Sequence, residues 1–554
     1  MLTASRAECP KTAAKAGPTW KERLTPSLSD WLFVFLILWL FVVTTPGWER
    51  LLEDGDTGWH IRAGELILST GAAPRSDPFS FTKPGAEWFA WEWLSEVLFA
   101  VLHGWFGLKG VVWFSGVLIV AFALLLLRYT LWRGANAMVG LFVTFLAIGA
   151  ASVHFLARPH IFTMLFLTAA LWIVERDLRR PDRAVWLLVP LTALWTNLHG
   201  GFLALLVCLG TIAAVRAGEA LADAAGRGAK LAQARRYAAL TAACGAATLL
   251  NPYGWKLHWH ILHYLQSDWI KRVVNEFRSP SFRAENVLQY EVLLLGGLMA
   301  AGWLVKQRRF VEAVWILLWA HFSLQSARHI PIYAIIAAPI LAGELSRLWE
   351  RWAAGRARNS VWKVLDDFAR DLGSGLRRTT LWPAAAAVLL LAVDGPLRWP
   401  QDFPSADFPT AIVHRNEELL KGRRIFTDDD WADYLIYLYF PEQRVFADGR
   451  TDFYGPEIGD AYIDLMYGGP RWAEVLASYE FDAILTPSKR PLTALLDLDP
   501  DWERYDEDEE AVLFVPRGAG RAPAQRRGAV EQARRRRGIL RTGANETVLP
   551  GRKY

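Results

Sequence analysis

The segment EDGDTGWHIRAGE (53–65) sets Glu53, Asp54 and Asp56 a few residues after WLFVFLILWLFVVTTPG (31–47), which carries no charge. Carboxylates in such a place can take a proton from an incoming hydroxyl, because burial and neighbouring charge tune their proton affinity. They can also hold a hard cation, since Mg²⁺ and Mn²⁺ choose oxygen ligands. Asp56 is the first choice for a catalytic base and Asp54 the second, with Arg62 and His60 as further members of a catalytic group. Asp54 and Asp56 are also the pair that would hold a single divalent cation; no other cofactor is expected. Glu53 and Glu65 read as solvated. The plain alternative is a turn and helix N-cap around Gly55 and Thr57, for which Asp-Gly-Asp is equally suited.

Positive charge comes from two other short motifs. Guanidinium matches phosphate oxygens in a fork and stays charged, so Arg158 in HFLARPH (154–160) and Arg328 in SARHIP (326–331) fit a departing phosphate. Each stands beside a histidine, His160 and His329. His199 in NLHGG and Glu276 in NEFRSPS complete the candidates for substrate contact in the loops. Taken singly, an Arg at the end of a span reaches for lipid headgroups, and a His there caps a helix. Five such loops on one face favour a shared site.

That face follows from the elements between the motifs. The chain has 554 residues, 53% hydrophobic and 21% charged. Apolar runs of about 17 to 25 residues recur from Trp31 to Val393, the length that crosses a bilayer. They predict a polytopic α-helical membrane protein with about eleven spans, near 31–47, 109–131, 137–156, 160–175, 183–198, 201–217, 236–252, 288–305, 310–326, 329–346 and 379–396. Every second loop is rich in Arg and Lys, which makes those loops cytoplasmic and puts the His and carboxylate loops outside.

Residues 1–30, polar and basic with no cleavage site behind them, read as a cytoplasmic leader. Residues 48–107 form the first external loop, in which the Trp-rich 91–107 lies along the interface. After the spans of 31–398, strand-like RRIFT, QRVFAD, FDAILT and AVLFV alternate with helix-like runs, predicting a small external α/β domain over 399–516. A basic tail, expected to be disordered, follows over 517–554. The formal charge of +5 resides largely in that tail, and no aromatic-interleaved basic module points to nucleic acid. The three cysteines make no disulfide framework. The expected location is the cell (inner) membrane, with the N-terminus cytoplasmic and the C-terminal domain periplasmic.

An acidic first external loop, many spans and an external C-terminal α/β domain resemble the GT-C class of membrane glycosyltransferases. Within it, Asp56 and Arg62 in DTGWHIR look like the first-loop pattern of the oligosaccharyltransferase catalytic subunit. WADYLIYLYFPEQRVFADGRT looks like that family's Trp-Trp-Asp-Tyr-Gly motif and the strand after it, through Trp431, Asp433, Tyr434, Asp448 and Thr451. Ala432 and Leu435 stand where that motif has its second Trp and its Gly. The family's second external loop carries a metal-binding acidic pair where this chain reads ARPH, which implies direct phosphate contact in place of metal bridging. The resemblance implies a polyprenyl-phosphate-linked sugar donor, the bilayer, and a glycan, lipid or protein acceptor as partners, with transfer at the outer face. Two other classes compete: a transporter or lipid flippase, and a non-catalytic scaffold that binds a partner through DGRTDFYG (448–455). An enzyme requires Asp56, Arg158 and Arg328 to surround one cavity; a scaffold does not.

Overall fold

The computed structural model describes residues 24–43, 47–224, 226–284, 287–357, 359–378, 380–392 and 399–518. Most of the expected leader, and the basic tail beyond Gly518, lie outside the described residues.

Apolar sequence with few breakers gives helices over most of the described residues up to Ala392. Five are long and apolar enough to cross a membrane: Leu108–Trp132, Ala137–His154, Phe202–Ala222, Val287–Lys306 and Ala327–Ala354. Shorter apolar helices run over Leu28–Phe41, Trp93–Phe106, Phe310–Gln325 and Trp382–Ala392. The expected eleven similar spans are thus reproduced only in part among the described residues. Over 183–198 the chain first makes a 3-10 turn, Arg183–Leu187, and only Leu188–Leu198 is α-helical. At about 1.5 Å per residue this helix is roughly half the thickness of a bilayer core. The helix Arg227–Ala247 begins in a polar stretch with Lys230, Arg235 and Arg236, so only its second half is apolar.

The helix Ile330–Ala354 runs through the middle of the bundle, buried along most of its length. Tyr333 Oη donates to the carbonyl of Leu293 at 3.0 Å, and a methyl at Gly297 would collide with that hydroxyl. At one end of the bundle the basic loops meet. Arg133 pairs with Glu175 and with Glu312 (2.7 Å), Arg309 pairs with Glu312 and Glu344, and Arg347 also pairs with Glu344. The His- and Asp-bearing loops gather at the opposite ends of the same helices.

There the expected first loop proves to be a two-helix unit. Asp56–Thr70 is helical from its first acidic residue, and Trp93–Phe106 packs beside it. Above this unit sits a domain with a four-stranded sheet: β1 Ile425–Phe426, β2 Ala483–Pro487, β3 Trp502–Glu507 and β4 Ala511–Pro516, in the order β1-β2-β4-β3. β1 and β2 are parallel, with Ile425 opposite Ala483; the other pairs are antiparallel, with Leu485 opposite Leu513. RRIFT, FDAILT and AVLFV supply β1, β2 and β4. QRVFAD contributes only bridges at Val445, to Ile425 and to Ser80 of the first segment.

Candidate functional site

The domain docks on the bundle through a close helix crossing. The helix Asp429–Tyr439 lies on Asp56–Thr70 at Gly55 and Gly58. A methyl at Gly55 would strike the Asp430 carbonyl, and one at Gly58 would come within 2.7 Å of the Asp433 carbonyl. Gly55 N–H donates to Asp430 Oδ1 at 3.3 Å. A second tie is a buried knot: Arg450 pairs with Asp448 (2.6 Å) and with Asp77 of the first segment (2.8 Å), under the faces of Trp88 and Phe79.

Between domain and bundle lies a cavity of about 1500 Å³. Its polar wall contains Asp54, Asp56, His60, Glu92, Arg158, Glu276 and Arg328, and its apolar wall contains Met164, Leu203, Val207, Ile261, Leu265, Phe322, Ile332 and Ile335. Leu265 and Val207 are exposed.

The polar wall is a chain of opposite charges. Arg158 Nη1 lies 2.6 Å from Asp54 Oδ2 and Nη2 lies 2.5 Å from Asp56 Oδ2. Glu276 is 3.8 Å from Arg158 and pairs with Arg328 at 2.9 Å. Arg328 also donates to Tyr264 Oη at 2.9 Å. Asp56 stands in the first turn of its helix, where the N-terminal end of the dipole favours a negative charge. Burial pushes the Asp54 carboxyl up to about 6, with Arg158 pulling it down and Asp56 pushing it further up. Burial alone would raise Glu276 too, but Arg328, His154 and Arg158 together hold it well below the usual carboxylate range.

Behind this wall Glu92 joins two histidines. Its Oε2 is 3.6 Å from His60 Nε2, and its Oε1 is 3.5 Å from His199 Nε2. On the far side of His60, Glu96 Oε1 is 3.6 Å from Nδ1; His60 and Glu96 are fully buried, and neither makes a side-chain hydrogen bond. Burial pushes Glu92 up to about 8 against the pull of Arg158. Burial, then Arg328 and Arg158, push His199 down to about 3, so its imidazole is neutral and takes a hydrogen bond with Thr163 at 2.7 Å. His154, His160 and His329 line the same space.

Of the residues singled out in the sequence, Asp54, Asp56, His60, Arg158, His160, His199, Glu276, Arg328 and His329 thus share one cavity. Four do not face it. Arg62 points away, donating to the carbonyl of Tyr437 (Nε, 2.6 Å) and to Glu65 (2.6 Å), because a side chain six positions beyond Asp56 lies on another face of the helix. Trp431 donates to the Asp407 carbonyl and Tyr434 to Asp402, both at 2.8 Å, inside the domain. Asp433 is fully buried and accepts the Gly449 N–H at 3.2 Å; burial, then Asp56 and Asp448, raise its pKa well above the usual range. These three position the helix on which they sit.

Two features went unread in the sequence. Glu92 offered only a lone carboxylate in a Trp-rich run. The consecutive Asp428, Asp429 and Asp430 were a visible signal: they line the cavity, and ligand atoms of all three lie within 4.8 Å of one another. Each also has a protein donor, from Arg490, Tyr462 and Gly55 N–H respectively. As for the loop 251–282, Trp255 and Trp259 are exposed, and Trp269 is buried against Gly459 and donates to Asp460 at 2.7 Å. DGRTDFYG forms a wall of the cavity, not a free binding loop.

Fold and site together define an α-helical protein of membrane type whose extra-bundle α/β domain closes one end over an amphiphilic cavity. No family model matches the sequence, and no curated protein matches it. Among solved structures, the crystal structure of ArnT from Cupriavidus metallidurans bound to undecaprenyl phosphate is similar with a TM-score of 0.45 and 13% identity, over 90% of this chain and 100% of that one. A likeness that loose carries neither fold detail nor activity to this chain.

Proposed function

We propose that the chain is a GT-C-like membrane glycosyltransferase, taking a sugar from a polyprenyl-phosphate-linked donor and passing it to an acceptor hydroxyl at the outer face. The observation that supports this reading is the division of one cavity into a wall of carboxylates and guanidiniums and a wall of aliphatic side chains, of which Val207 and Leu265 are exposed. A lipid phosphate has the same two parts. In the transfer, the acceptor oxygen bonds to the anomeric carbon, the bond from that carbon to the phosphate oxygen breaks, and the phosphate leaves with the electron pair. Asp56 or Asp54 takes the hydroxyl proton. Arg328 offsets the charge that develops on the phosphate, an effect strongest in a site that excludes water. The transporter reading has no comparable support, because the far ends of the same helices are closed by Arg–Glu pairs.

The test is turnover of the protein in lipid nanodiscs with a panel of radiolabelled polyprenyl-phosphate and pyrophosphate sugars, alongside binding of undecaprenyl phosphate. Saturable binding that weakens at least about tenfold in Val207→Trp, which fills the apolar wall, is expected. Absence of both transfer and saturable binding overturns the proposal.

A further inference from the structure

The pair Asp54 and Asp56, read from the sequence as a place for Mg²⁺ or Mn²⁺, does not fit a divalent ion once its surroundings are counted. All four carboxylate oxygens are engaged. Asp54 Oδ2 and Asp56 Oδ2 face the two terminal nitrogens of Arg158, at 2.6 and 2.5 Å. Asp54 Oδ1 accepts the Asp56 N–H at 2.9 Å, and Asp56 Oδ1 accepts Trp59 Nε1 at 3.0 Å. Three of these contacts are hydrogen bonds and the fourth, Arg158 Nη2 to Asp56 Oδ2, is an ion pair, so a hard cation would have to displace groups already seated on the carboxylates, and Mg²⁺ demands near-octahedral oxygen ligation at about 2.0 to 2.1 Å. A cation would also meet the guanidinium charge at contact distance. The next carboxylate, Glu276, is held by Arg328.

Nor is Arg158 there by chance of a long side chain. Its loop is tied to the acidic segment on both sides: Ala157 N–H donates to the Leu51 carbonyl at 2.7 Å, and Thr57 Oγ1 donates to the Ala157 carbonyl at 3.0 Å. The Arg158 side chain is four-fifths buried. It is delivered to the carboxylates by the backbone, as a bound ion would be delivered by its ligands.

We propose that Arg158 is a built-in cation: its guanidinium permanently fills the place between Asp54 and Asp56 that a divalent metal would take, and orients both carboxylates without one. This deepens the reading above, and rests on it only for placing Asp56 at the reacting centre. It also changes the role of Arg158 expected from ARPH, from direct phosphate contact to carboxylate positioning, leaving Arg328 as the guanidinium for the phosphate.

The test counts Mn²⁺ bound per chain by electron paramagnetic resonance on the full chain in nanodiscs, a measurement that involves no sugar transfer. Any Mn²⁺ at Asp428, Asp429 and Asp430 is common to all variants and cancels. Wild type and Asp56→Asn should bind the same number. Arg158→Ala should bind one more than wild type, and Arg158→Ala with Asp56→Asn should lose that gain; Arg158→Lys, which keeps a charge in place, should show none. If Arg158→Ala does not fold, judged by its thermal transition, Arg158→Gln takes its place. A wild type that binds one more Mn²⁺ than Asp56→Asn overturns the proposal, as does a neutral Arg158 variant that gains none. Failure of the donor reading in the turnover assay leaves either outcome intact.

Discussion

The two ends of the helix bundle use the same side chains for different ends. At the basic end Arg133, Glu175, Glu312, Arg309, Glu344 and Arg347 pair in a closed series. At the other end Arg158, Asp54, Asp56, Glu276 and Arg328 pair in a similar series, along the wall of a cavity of about 1500 Å³. Room for a ligand, not residue type, separates a clamp from a site.

Substitutions should break the comparison in opposite ways. The largest effect is expected from Asp56→Asn, which keeps shape and removes charge. Turnover should fall by about 10² to 10⁴, the range for a lost general base, while the thermal transition stays near that of wild type. Near-normal turnover would reduce the acidic segment to a helix start, since Asn caps almost as well as Asp. At the basic end Arg133→Ala should do the reverse. Taking Arg133 away from Glu175, which keeps the Tyr129 hydroxyl, and from Glu312, which keeps Arg309, should lower stability by about 3 to 5 kcal/mol in denaturation, the range for a broken buried pair, with the specific activity of the folded fraction unchanged. Gly449→Ala tests the positioning of Asp56 without touching its charge. The added methyl would collide with Asp56 Oδ1, so a loss of about 10² in turnover at nearly constant substrate affinity is expected.

The smallest effect concerns pH. The Glu92 carboxyl is raised from 4.5 to about 8 in the folded chain, so between those values the folded state holds a proton that the unfolded state has lost. Its contribution to stability is full below about 4.5, falls as pH rises, and is gone above about 8. Glu92→Gln should therefore flatten the decline in melting temperature across that window. An unchanged slope would show that other groups, such as Asp54 and Asp430, set it.

Much of this arrangement could be read from residue order. Uncharged runs mark the helices, and the sorting of Arg-rich from His-rich loops already separates the clamp from the cavity. The sequence reading went astray where a distant partner decides. DGDTG left a cation-holding loop and a helix start both open; the structure starts a helix at Asp56, with Gly55 and Gly58 packed against Asp430 and Asp433. WERYDE shows alternation too weak for a confident strand, yet β3 forms on the edge of the sheet beside β4. Trp431, Asp433 and Tyr434 matched a motif in letters, but the helix that carries them turns those side chains toward Asp407, Gly449 and Asp402. Nothing in ARPH reveals that Asp54 and Asp56 lie opposite Arg158.

The crossing of Asp56–Thr70 under Asp429–Tyr439 sets a schedule. Gly55 and Arg62 find partners 375 residues further along the chain. At a synthesis rate of about 5 to 20 residues per second, that interval is roughly 20 to 75 s. During it Asp54 and Asp56 are already made, while the lid that closes their cavity is still on the ribosome. A nascent chain therefore holds these carboxylates in an open hollow, and the cavity is closed only when the last domain docks.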